Sequence, residues 1–124
     1  MVNFGEPRTV PPKFSGRTFY HHNPQVTLMR TNAEESAELG RIIAEKANQS
    51  TGPVTVLLPL KAISVISAAG KAFHSPEADT ALFASIKKHL RSDIPVIEQD
   101  LEINDPAFAR ACAETLLAQL NKPK

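Results

Sequence analysis

The sequence is poor in several things that define whole classes of protein. It has one cysteine, Cys112, set inside an apolar helical pattern, so a disulfide framework is excluded and a packed thiol is the expectation. It has no tryptophan, one tyrosine and 6% aromatic residues in all. Its formal net charge is only +1, with charges of both signs interleaved, so neither nucleic acid nor an acidic membrane surface is an expected partner. No apolar run approaches the ~18 residues of a membrane span, and no basic start followed by an apolar stretch opens the chain. A cytoplasmic location is therefore expected. Glycines at the spacing of a Walker loop are missing around the only Lys-x-x-Ser after an apolar strand, and no G-x-S-x-G elbow is present.

What is there is a chain of 124 residues, 42% hydrophobic, enough for one core. Residues 1–16 hold three of the ten prolines and two of the five glycines, which reads as an irregular leader; residues 17–124 read as a single domain. "RTFYHH" and "QVTLMR" read as extended segments divided by Asn23-Pro24. Thr31-Asn32-Ala33-Glu34 has the spacing of a capping box and predicts a helix from about 33 to 48, with Leu39, Ile42, Ile43 and Ala47 on one face. "GPVTVLLPL" predicts a strand buried on both faces of a parallel sheet. Residues 61–74, "KAISVISAAGKAFH", read as a loop passing near a ligand, the alternative being a short strand at "AISVIS". Ser75-Pro76-Glu77 then starts a second helix to about Leu90, with Ala78, Leu82, Ile86 and Leu90 as its stripe. "IPVIEQ" is a last strand, and Asn104-Asp105-Pro106 starts a third helix with Phe108, Cys112, Leu116 and Leu120 inward.

This succession predicts an α/β fold with a small, mainly parallel sheet and helices on its faces, whose ligands gather beyond the carboxyl ends of the strands. Arg30 and Thr31 stand at one such end: Arg30 is placed to clamp a phosphate or carboxylate beside the first turn of the helix, the structural alternative being a salt bridge to Glu34 or Glu35. Lys61 and Ser64 stand at another, where an ammonium and a hydroxyl suit an anion and a solvated loop is the alternative. His21 and His22 project to opposite faces of a strand and lie at no ligand spacing from a Cys or carboxylate, so no metal is expected. Glu77, Asp79 and Asp105 occupy helix starts, where acids suit the helix dipole alone.

Five ordered blocks, "MVNFG", "HNPQVTLMRT-x-x-E", "GPVTVLLPLK-x-x-S", "G-x-x-F-x-x-P-E-A-D-x-A-L-F" and "INDPAFA", cover nearly the whole chain. Together they resemble the C-terminal half of the family of the tomato mosaic virus resistance protein, an ATP-binding-domain family. The resemblance implies a Rossmann-like half-domain, with a missing N-terminal half-domain as partner, and ATP bound by the full-length protein and not tightly by this half; homo-oligomerisation is expected because a chain without that neighbour must cover its apolar surface. It places His22 and Asn23 with Arg30, Thr31, Lys61 and Ser64 as ligand-binding candidates, and assigns no reaction. Three positions depart from the family pattern: Ala62 stands for a glycine, Ser67 for an aspartate and His74 for a frequent acid. The alternative reading, a C-terminal lobe of a sugar-nucleotide epimerase or glycosyltransferase-like enzyme, rests on "VTLMRTNAEES" alone and requires acid or base groups converging on a cleft.

Overall fold

A computed structural model describes residues 1–121. Five strands and three helices form an α/β arrangement. Strands β1 (Val2–Phe4), β2 (Phe19–Asn23) and β3 (Val26–Met29) precede helix α1 (Ala33–Asn48), which is followed by β4 (Val56–Pro59), α2 (Pro76–His89), β5 (Val96–Gln99) and α3 (Pro106–Leu120).

The α/β class is as the sequence predicts, but the strands hydrogen-bond as two sheets. β1 and β2 flank β3, both antiparallel to it, while β4 and β5 pair in parallel. The reason for the antiparallel part is local. Asn23 and Pro24 turn the chain within two residues, the Asn23 Oδ1 accepting from the Gln25 N–H at 2.8 Å, and a turn that short joins only antiparallel neighbours. The expected irregular leader is corrected as well: Val2 to Phe4 pair with Met29 to Thr27, and single 3-10 turns follow at Pro7–Thr9 and Pro12–Phe14, the second with its Phe14 ring 5.8 Å from that of Phe4.

Helix α1 packs on α2 through small residues. Ser36, Gly40 and Ala44 are its buried positions, and a Cβ on Gly40 would lie 2.6 Å from the Leu82 carbonyl oxygen and 2.8 Å from the Ser85 Cβ. The larger residues expected inside, Leu39 and Ile43, are exposed, because two helices this close leave no room for branched side chains between them. Helix α2 then covers the parallel sheet, with Phe83 and Ile86 against Leu58 and with Val56, Leu82, Leu90 and Val96 around them. On α3 only Phe108 is buried; Cys112 is half-buried, and Leu116 and Leu120 face out. Beyond β4 the chain is zipped to the chain beyond β5 by Leu60 N–H to Gln99, Lys61 N–H to Leu101 and Ile103 N–H to Ala62 carbonyls.

Candidate functional site

The first turns of α1 and α2 open on one cleft of about 480 Å³, lined among others by Arg17, Arg30, Asn32, Phe73, Ser75 and Glu77. Its α1 side is capped one residue later than the sequence spacing suggests. Asn32 Oδ1 accepts from the Glu35 N–H at 2.8 Å, and Glu35 Oε2 accepts from the Asn32 N–H at 3.0 Å, so the capping box is Asn32/Glu35. Thr31 is instead buried, its hydroxyl accepting from Ser36 Oγ at 3.1 Å. Asn wins the cap because Thr31 still belongs to the buried end of the strand layer. On the other side Ser75 caps α2, accepting from the Ala78 N–H, with Pro76 at the first helical position.

Two arginines tie this region together. Arg17 grips Glu35 with both terminal nitrogens, at 3.0 and 2.7 Å, and donates to the Arg30 carbonyl at 2.9 Å. That fork first, and the capping N–H after it, hold the Glu35 carboxyl below its ordinary range. Arg30 is only 5% exposed. Its Nε donates to the Phe73 carbonyl at 2.9 Å, and its Nη2 bonds the carboxylate of Asp79 and reaches the Ser75 carbonyl at 3.4 Å. Neither Glu34 nor Glu35 is its partner, which corrects the structural alternative read from sequence. Asp79 is buried and serves this ion pair, beyond any dipole effect at the helix start. The third guanidinium nitrogen, Nη1, is buried without a hydrogen-bond partner. Arg17, the fork that holds the cleft's edge, carries no motif signal; only its pairing with Glu35 reveals it.

Of the six candidates, the structure brings Arg30 and Thr31 to this cleft. His22 and Asn23 are exposed on the β2–β3 turn, where Asn23 makes the turn bond described above. Lys61 is exposed, 3.7 Å from Asp100, and lines a separate hollow of about 310 Å³ with Leu60, His74 and Thr80. Ser64 lies in the loop after β4; its N–H and that of Ile63 donate to Ser67 Oγ, while its own hydroxyl is buried without a partner. Ser67, fully buried, thus clamps that loop, and among the described residues only glycines have positive φ, so Ala62 sits there without strain. His74 Nδ1 lies 3.3 Å from the Ser67 carbonyl oxygen. Among the described residues no group of three His, Cys, Asp or Glu side chains is placed to hold a metal, and no helix is long and apolar enough to cross a membrane.

A family model for the "Uncharacterised protein family (UPF0261) C-terminal domain" matches residues 1–120. The chain belongs to the UPF0261 family. It is 42% identical over 98% of its length to a UPF0261 protein of Clostridium tetani and 50% identical over 90% to one of Rhizobium meliloti. It spans 30% and 28% of those relatives' lengths. It is also 40% identical, over 94% of its length and 16% of theirs, to the ToMV resistance protein Tm-1(GCR237) of Solanum lycopersicum. The ToMV susceptible protein tm-1(GCR26) matches at 39%, so the likeness to the tomato proteins does not follow resistance.

Proposed function

We propose that this UPF0261 domain binds the phosphate part of a nucleotide, ATP in the first instance, in the cleft between the starts of α1 and α2, and that the rest of the longer family chain completes the site. The observation that carries the reading is the unpartnered Nη1 of Arg30, a buried guanidinium donor beside the cleft. A buried donor left without an acceptor is costly, and an oxyanion is the ligand that satisfies it best. The α1 start supports the same chemistry: the N–H groups of Ala33 and Glu34 belong to the first turn, where a helix has no acceptor of its own for them and the dipole favours negative charge. Glu34 and Glu77 at the rim repel a bare anion, and suit the sugar hydroxyls or the metal ion that accompany nucleotide phosphates. The transferase-like alternative would draw on Glu34, His74 and Glu77, which line the same cleft; the buried guanidinium donor, which calls for an anion and not for a proton transfer, favours a binding module.

The oligomerising half of the reading assigns the exposed Leu116, Leu117 and Leu120 of α3 to contact with other subunits, checked by light scattering over a concentration series. The binding half is tested by calorimetry with inorganic phosphate and ATP on a full-length UPF0261 protein and on this chain. Ala33→Pro removes one N–H from the cleft at a position where proline suits a helix start, and Asn32 before it already has the extended backbone that a following proline requires. The expected result is about tenfold weaker phosphate binding at unchanged thermal stability, equivalent to ~1.4 kcal/mol. Unchanged affinity overturns the assignment of the cleft, and micromolar ATP binding by this chain alone overturns the need for the missing part.

A further inference from the structure

The parallel pair β4–β5 forms a two-stranded sheet, and its two outer edges are not alike. The β5 edge is protected as outer edges of soluble sheets are: Pro95 precedes it, Asp100 follows it, and Glu98 within it is held by Lys87 of α2 at 2.6 Å. The β4 edge has no charge anywhere in "PVTVLLP", residues 53–59. Val56 and Leu60 donate their N–H groups to the Pro95 and Gln99 carbonyls of the β5 side, so the alternation of the strand turns the N–H and C=O of Leu57 outward, away from β5. Among the described residues β4 has no other paired strand.

Helix α1 marks the same place independently. It meets α2 at Leu82 and Ser85, on the opposite side of that helix from Lys87 and the β5 edge, and therefore lies on the β4 side. Its outward flank is the one with Ala37 and Arg41, which line a surface groove with Ala84 and Lys88 of α2. Leu39 and Ile43 project from the other flank, towards the level of the sheet, and are 41% and 46% exposed. An uncharged strand edge and an uncovered apolar helix flank thus lie on the same side of the sheet.

We infer that a β-strand from the part of the UPF0261 chain that lies outside this domain in the longer relatives adds to the free edge of β4, beneath Leu39 and Ile43 of α1. The occupant is taken from the same polypeptide because the domain spans only 28–30% of those relatives and matches a family model described as C-terminal. Main-chain bonds to Leu57 fix the strand's register, and Pro59, which has no N–H to offer on that edge, marks where its pairing stops. The inference does not depend on what the cleft binds.

Hydrogen exchange tests it, measured on this chain alone and on the same segment within a full-length UPF0261 protein. The Leu57 amide is expected to exchange more slowly in the full-length protein by about 100-fold or more, the behaviour of a ladder bond that opens only with its sheet. Ile43→Glu is expected to lower the melting temperature of the full-length protein while leaving that of this chain unchanged. Equal exchange at Leu57 in both proteins overturns the inference, as does protection that appears in this chain alone with rising concentration, which would make a second copy the occupant. If Ile43→Glu destabilises both proteins equally, the flank belongs to this domain's own core and the inference fails.

Discussion

The two ends of the domain are held together by different means. Around the starts of α1 and α2, side chains reach across 18 to 49 positions of sequence: Arg17 to Glu35, Arg30 to Phe73, Ser75 and Asp79. Around β4, β5 and α3 the cohesion is apolar and half finished, with Leu58, Phe83 and Ile86 buried but Leu116, Leu117 and Leu120 in solvent. The first region is held by polar contacts around a cleft, with one buried guanidinium nitrogen left without a partner; the second is open along an edge and a helix. The contrast separates a place suited to a small polar ligand from a place suited to more polypeptide.

The largest expected effect breaks the polar end. Asp79→Ala leaves Arg30 buried and uncompensated and is expected to cost about 3–5 kcal/mol in urea unfolding, whereas replacing both residues by apolar ones of similar size, Arg30→Met with Asp79→Leu, recovers much of the loss. The burial of Arg30 means that its own removal is expected to cost stability as well. Next comes Gly40→Val, which forces α1 off α2 and is expected to cost about 1–3 kcal/mol in the same assay. Asn32→Ala removes the cap and is expected to cost about 1 kcal/mol, while Thr31→Ser, which keeps the hydroxyl that meets Ser36, stays within about 0.5 kcal/mol.

A smaller effect is acid sensitivity through Glu35. Its folded carboxyl titrates below the ordinary 4.5, so its contribution is fully present above that value and is lost as pH falls through the lowered one. Stability measured against pH should therefore drop below the ordinary carboxylate range less steeply in Arg17→Gln than in the parent chain. The smallest effect sharpens the comparison from the open end. Leu116→Gln and Leu120→Gln should change the stability of this chain by no more than about 0.5 kcal/mol, since neither side chain is covered.

The helices and the strands from β2 onwards were legible because each is announced locally, whereas β1 was hidden in a proline-rich start and is a strand only through its pairing with β3. Pro76 and Pro106 after Ser75 and Asp105 start α2 and α3 where the sequence says they do, and "TVLLP" reads directly as β4. The candidate site was half legible. Arg30 was recognisable from its place after an apolar run, but its partner Asp79 lies 49 residues away, at the start of another helix, where an acid has an ordinary local explanation. Lys61 and Ser64 were read into the site from a general rule about strand ends, and the split of the strands into two sheets put them elsewhere.

By itself the sequence determined what local spacing controls: the order and approximate bounds of the elements from β2 onwards, and the Asn23-Pro24 turn. Only the tertiary structure decided which face of α1 is inside. The three-to-four periodicity of Leu39, Ile42 and Ile43 is a signal of what an apolar neighbour would cover, and Ser36, Gly40 and Ala44 give an equally periodic signal for a neighbour that comes close. Which neighbour is present depends on the approach of α2, and the closest approach belongs to the face without side chains in the way.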